Sequence, residues 1–132
     1  MSDPLQVAAR AAQANAYAPY SRYRVGAALE SQDGRIFTGC NVENASFGLA
    51  LCAERAAVTA AVNAGARRFR RLLVASDSDP PASPCGACRQ VLAEFGSDLV
   101  VVAVGPGGSR QWTLAELLPA AFGPDDVNQV PS

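Results

Sequence analysis

Two short runs of branched apolar residues, 71–76 and 99–104, lie on either side of a helix-forming stretch at 86–95. Strands separated by a helix that can cross over favour a mixed sheet sandwiched between helices. That unit commits the chain to an α/β architecture before any other residue is read. The remaining segments fit around it. Residues 5–16 are alanine-rich and stop before Pro19, as a helix would. Residues 24–30 and 35–42 read as two strands joined by a hairpin at Gln32-Asp33-Gly34. Residues 50–64 form a core helix stopped by Gly65, and the helix at 86–95 ends at Gly96. Residues 77–84 hold three prolines and form a loop. Pro106-Gly107-Gly108-Ser109 is a turn into a short strand at 111–113, a last helix begins over 114–118, and the tail from about 124 is loose.

The resulting order, α-β-β-α-β-α-β-β-α, favours a three-layer α-β-α sandwich around a mixed five-stranded sheet with a hairpin at its start. The 132 residues fit a single domain over 1–132, and 49% apolar content is enough for a buried core. No repeat or linker divides the chain.

Two residue types are missing. Without histidine there is no Ser-His-Asp triad, no Cys-His dyad and no imidazole metal ligand. Without lysine there is no Schiff base. Catalysis must rest on carboxylates, thiols, hydroxyls or a metal held without imidazole. The formal net charge is −1, so no face is built to coat itself with nucleic acid or anionic lipid. Met1-Ser2-Asp3-Pro4 does not begin a signal peptide, and the apolar run 99–104 is far too short to cross a bilayer. The expectation is a soluble, cytoplasmic protein whose four cysteines are thiols or metal ligands.

Cys85-Gly86-Ala87-Cys88 sets two thiols at a spacing that suits one tetrahedral ion, and equally a redox pair or two core cysteines. Cys52 offers a third thiolate. Both clusters fall at expected helix N-termini, where the helix dipole favours thiolates. A zinc with three protein ligands and an open position is a catalytic pattern. A fourth thiolate from Cys40 would make the site structural, but its spacing matches no usual zinc ribbon, and Cys40 reads as a strand residue. Glu54 can reach the metal's water without being a ligand, or can simply be an acid favoured in a first helical turn. Arg55, three positions after Cys52, can donate to sulfur and offset the site's negative charge, or can be a solvated helix arginine. Arg67-Arg68-Phe69-Arg70-Arg71 resembles a nucleic-acid surface but reads better as a solvated turn after a helix. Gly105-Pro106-Gly107-Gly108 lacks the Lys-Ser/Thr of a phosphate loop.

Cys52-Ala53-Glu54 followed by Pro84-Cys85-Gly86-Ala87-Cys88 matches the known zinc deaminase signature in its three-cysteine form. Tyr20-Ser21, Val25-Gly26-Ala27-Ala28-Leu29, Asn41-Val42-Glu43-Asn44, residues 83–90, Leu117-Leu118-Pro119 and Phe122-Gly123-Pro124 extend the match. Over residues 5–126 the chain resembles the small homotetrameric cytidine deaminases of the cytidine/deoxycytidylate deaminase superfamily. The resemblance implies one Zn2+ per chain on Cys52, Cys85 and Cys88, with Arg55 supporting the sulfurs. It implies that Glu54 shuttles protons while hydroxide attacks C4 of cytidine or 2'-deoxycytidine, giving the uridine counterpart and ammonia, as in pyrimidine salvage. Asn41 and Glu43 would hold the ribose hydroxyls, and the backbone of Ala53 and Ser83 would meet the cytosine oxygen and the leaving amine. Tyr23 stands where the family usually has phenylalanine and remains an aromatic wall. Phe47 stands where tyrosine is frequent, so a hydroxyl contact is lost there. Phe47 and Phe122 would enter a neighbouring subunit's site, so the implied partners are the nucleoside and further copies of the chain, not nucleic acid or membrane.

Overall fold

A computed structural model describes residues 3–128, and the outermost residues of the single domain expected over 1–132 lie outside that range. Helix α1 (Pro4–Ala14) starts under an Asp3 cap, whose carboxylate accepts from the Leu5 N–H at 3.0 Å, with proline in the first turn. Strands β1 (Gly26–Ser31) and β2 (Ile36–Cys40) pair antiparallel. Gly34, at φ +88°, takes the left-handed position of their three-residue turn. Helix α2 (Ala53–Asn63) precedes β3 (Phe69–Ala75). Helix α3 (Gly86–Ala93) then crosses to β4 (Val100–Gly105), which runs parallel to β3. Strand β5 (Gly108–Thr113), helix α4 (Leu114–Leu117) and helix α5 (Pro124–Asn128) complete the described chain.

The sheet order is β2-β1-β3-β4-β5, mixed and five-stranded as expected. Alternation along the strands separates two apolar faces. Ala27, Leu29, Leu72, Val74 and Val101 meet Ala53, Ala57, Val58 and Ala61 of α2 and Leu92 of α3. Ala28, Leu73, Ala75 and Val104 meet Leu5 and Ala9 of α1. The molecule therefore has three layers. Gly39 allows α2 to lie directly on β2, because a Cβ there would sit 2.6 Å from the Ala53 carbonyl oxygen.

Most boundaries shift by a few residues; four differences from the sequence expectation matter here, and tertiary pairing explains three of them. The helix expected from residue 50 starts instead at Ala53: a 3-10 turn (Phe47–Leu49) comes first, and Leu51 enters a bridge in which it and Val42 exchange both backbone hydrogen bonds at 2.9 Å. Helix α1 ends two residues early because the Tyr17 N–H donates to the Asn41 carbonyl at 3.0 Å. The arginine-rich run is not a solvated turn throughout. Phe69 is buried and opens β3, its ring edge-on to Phe95 at 5.3 Å, and Arg71 pairs with Asp3. The stretch expected to be loose from 124 is helical through Asn128, started by proline and two acidic residues in its first turn.

Candidate metal centre and its pocket

The packing of α2 against α3 brings two helix N-termini together. Cys52 is the N-cap of α2, Cys85 is the N-cap of α3, and Cys88 lies in the first turn of α3. Their three sulfurs lie within 4.8 Å of one another, and the Sγ atoms of Cys85 and Cys88 are 3.6 Å apart. Tetrahedral zinc with sulfur bonds of about 2.3 Å would set neighbouring sulfurs about 3.8 Å apart, so the cluster fits that ion. Cys40, at the end of β2, is outside this cluster, so the expected three-sulfur set assembles without it.

The electrostatics of the cluster call for a cation. Burial pushes the Cys88 thiol far above its usual range, and the negative charges of Glu54 and Cys52 add to the rise. Burial also opposes ionisation of Cys85, but hydrogen bonds from the Cys88 N–H, the Cys88 and Cys52 thiols and the Ala87 N–H together outweigh it and lower that thiol. The Arg55 guanidinium lies 3.7 Å from Cys52 Sγ, and that contact is the main cause of its raised pKa. Its Nε is buried and has no hydrogen-bond partner among the described residues.

Glu54, the second residue of α2, is only 6% exposed. Burial raises its pKa, against the pull of its own backbone N–H and of Arg55. Burial thus favours the protonated form, as suits a group that must hold a proton between transfers. The side chain lines a cavity of about 290 Å³ together with Cys52, Cys85, Tyr23, Asn41, Ala53 and Ser83; Val25, Val74 and Ala82 supply the rest of the wall. Seven of the expected site residues thus share one pocket. Asn41 is fixed there, because its Oδ1 accepts from the Val25 N–H at 2.8 Å and its Nδ2 donates to the Tyr23 carbonyl at 2.7 Å.

Three expected residues lie elsewhere. Glu43 lines an adjacent, larger hollow of about 360 Å³ with Tyr20, Ser21, Asn44, Phe47 and Ala50. That hollow has no thiol and no buried acid, so the reactive groups belong to the smaller cavity. The Glu43 carboxylate accepts from the Ser21 hydroxyl and from the N–H groups of Tyr20 (2.9 Å) and Ser21 (3.1 Å). The hydroxyl contact is the main reason its pKa is lowered. Phe47 and Phe122 are 76% and 61% exposed and touch the reactive cavity from neither side.

Sequence reasoning missed Arg89, whose guanidinium ties the wall at Ser83 and Pro84 to the end of α4. Its acceptors are up to 28 positions away, and no local pattern announces them.

The family model described as cytidine and deoxycytidylate deaminase zinc-binding region matches residues 2–104. A cytidine deaminase of Sporosarcina psychrophila is 48% identical over 119 residues, covering 89% of this chain and 88% of that one. The crystal structure of cytidine deaminase from Burkholderia pseudomallei superposes with a TM-score of 0.87 at 49% identity, covering 92% of this chain and all of the other. That from Mycobacterium tuberculosis gives 0.78 at 48% identity, covering 90% and 94%.

Proposed function

The chain belongs to the cytidine and deoxycytidylate deaminase family, and from that premise we propose that it converts cytidine and 2'-deoxycytidine to uridine and 2'-deoxyuridine with release of ammonia. One observation carries this reading: two of three sulfurs that lie within 4.8 Å of one another line a cavity with a buried glutamate and an anchored asparagine, and the third, Cys88, is buried behind them. Cys52, Cys85 and Cys88 hold the zinc, and Arg55 offsets the negative charge of three thiolates on one dication. Zinc, when bound, supplies Lewis acidity that brings a water's pKa down toward neutrality.

The protein's own residues do the rest. Glu54 takes the proton from the attacking water, delivers it to the ring nitrogen beside C4, and later protonates the departing amine. The water oxygen stays on C4, the C4–N bond breaks, and the second water proton leaves with the ammonia. Its burial favours the protonated form between transfers. The Ala53 backbone meets the cytosine oxygen and the Ser83 backbone meets the leaving amine, while Tyr23 walls the ring. Asn41 keeps one amide hydrogen free of its two anchors for a ribose hydroxyl. Glu43, held by the Tyr20–Ser21 turn, takes another.

Self-association completes the pocket in this reading, with Phe47 and Phe122 closing the site of a neighbouring copy in a homotetramer. Their exposure, with Leu49 at 71% and Tyr20 at 53%, supports it, since apolar groups this open favour a protein partner. In this reading the reaction belongs to pyrimidine salvage in the cytoplasm, where cysteines serve as thiols or metal ligands. No helix among the described residues is long and apolar enough to cross a membrane.

The test pairs wild type with Glu54→Gln. Wild type should release ammonia from cytidine at one zinc per chain. The variant should keep its zinc and its binding of cytidine while kcat falls by at least ~10²–10⁴-fold. No ammonia from the zinc-loaded wild type would overturn the substrate. Near-normal turnover by the variant would assign the proton transfers to another group.

A further inference from the structure

The proline-rich loop at 77–84 forms one wall of the reactive cavity, yet its last two residues have little backbone means of staying in place. Pro84 has no N–H, and neither residue belongs to a strand or helix. What holds them is one side chain. Arg89, half-buried on α3 directly after Cys88, donates from Nε to the Pro84 carbonyl at 2.7 Å and from Nη2 to Ser83 Oγ at 2.8 Å. Its third arm, Nη1, donates to the Leu117 carbonyl at the end of α4 at 2.7 Å. None of the ion pairs among the described residues involves Arg89. Its charge is spent on three neutral oxygens from two separate parts of the chain.

We propose that Arg89 is a positioning residue for deamination: it fixes the Ser83–Pro84 wall against α3 and α4 so that the Ser83 backbone is held where the amine departs. The proposal rests on the assignment of Ser83 to the leaving amine. A planar fork whose three nitrogens point in different directions reaches all three acceptors at once, which an ammonium on a flexible stem does not. The next side chain strengthens the anchor, because Gln90 Nε2 donates to the Phe122 carbonyl at 2.7 Å and holds the segment that follows α4. A wall held at two adjacent points keeps its main chain within the tolerance that proximity effects demand, where a shift of about 1 Å can lower a rate about 100-fold.

The experiment compares Arg89→Gln, Arg89→Lys and Ser83→Ala with wild type, all assayed per bound zinc. Arg89→Gln should lower kcat for cytidine between about 10- and 100-fold. Its affinity for uridine, which lacks the amine, should stay within about twofold of wild type by calorimetry, and its zinc content should stay at one per chain. Arg89→Lys should recover part of kcat. Amide hydrogen exchange across 82–89 should quicken in Arg89→Gln while exchange in β3 and β4 is unchanged. Equal loss of kcat and of uridine binding would reduce Arg89 to a structural role and overturn the proposal, as would a kcat within twofold of wild type. If Arg89→Gln does not fold, Ser83→Ala decides the matter, since it removes one acceptor and keeps the backbone. It should lower kcat severalfold with uridine binding intact, and an unchanged kcat overturns the proposal. A wild type that releases no ammonia refutes the substrate itself, a different failure from an active wild type matched by its Arg89 variants.

Discussion

The two sides of the substrate pocket are built to different standards. On the helix side, Cys52, Glu54 and Cys85 line one cavity and Cys88 is buried behind them, all set by two helix starts that the core packs together. On the sugar side, Glu43 sits in an open hollow beside Tyr20 and Phe47, whose rings meet edge-on at 6.0 Å, and Phe47 is 76% exposed. In the proposed reading, one chain finishes its own chemistry and leaves the enclosure of its substrate to a second copy. Groups that move protons and hold a cation need fixed low-dielectric surroundings, which a single folded core supplies. Groups that grip a sugar can be completed by a second surface, and such a surface lets assembly decide whether the pocket closes. If this contrast is right, changes on the helix side should be absolute and changes on the sugar side graded.

The largest effect should come from Cys85→Ala. It removes one corner of the three-sulfur cluster, so zinc and activity should be lost together. The thermal midpoint should also fall, because ligation energy is folding energy when the unfolded chain holds no such site. Cys40→Ala is the control from the edge of the sheet, and it should keep one zinc per chain and most of its activity. Metal analysis, ammonia release and calorimetric melting read all three quantities. Zinc loss from the Cys40 variant would mean that the helix side is not self-contained, and the contrast would collapse.

The helix side was also the more legible in sequence. The spacing of Cys85 and Cys88 suits an ion and a redox pair alike, and Cys52 at a second helix start tips it toward the ion. The apolar runs of β3 and β4 announce two buried strands in the same way, and both strands are mostly buried. What stayed illegible depends on contacts distant in sequence. Residue 50 has helical neighbours, yet the Leu51–Val42 bridge holds that segment extended. Arg89 looks like a surface helix arginine until Leu117 is folded against it. The separation of Glu43 from the reactive cavity has no sequence signal either: Asn41 and Glu43 are two positions apart, yet Asn41 is anchored on Val25 and Tyr23 while Glu43 is held by Tyr20 and Ser21.

A middle-sized effect should follow from Phe47→Ala. The ring is so exposed in one chain that its loss should leave the melting of the isolated fold almost untouched. If the ring closes a neighbour's pocket, its removal takes away a buried aromatic anchor worth about 2 kcal/mol, or roughly 30-fold in affinity. The expected result is a rise of that order in KM for cytidine, with weaker association by light scattering and an unchanged zinc content. A wild-type protein that is fully active as a monomer would show that the sugar side needs no second copy. The open hollow would then be the finished pocket.

The smallest effect should come from Ser21→Ala, which probes the sugar side from within one chain. The Ser21 hydroxyl donates to the Glu43 carboxylate and accepts from the Tyr23 N–H at 3.0 Å, so it links the aromatic wall of one hollow to the acid of the other. Its bond to Glu43 is the largest cause of that group's lowered pKa. A carboxylate with a depressed pKa stays ionised, and able to accept from a ribose hydroxyl, as pH falls past the ordinary value; the advantage is lost only as pH drops through the lowered one. Without the hydroxyl, the Glu43 pKa should move back up toward the ordinary value of 4.5. At neutral pH both proteins are ionised, so KM should rise only about two- to fivefold, as expected for one hydrogen bond in an open setting. Toward acid, KM should climb at a higher pH in the variant than in wild type. The cysteine cluster is the same in both proteins, so its titration contributes equally and the displacement of the acid limb reports Glu43. A full profile of kcat and KM between about pH 4 and 7 would show it. An acid limb in the same place would mean that Glu43 does not bind the substrate in its ionised form, and the sugar side would lose its one charged contact.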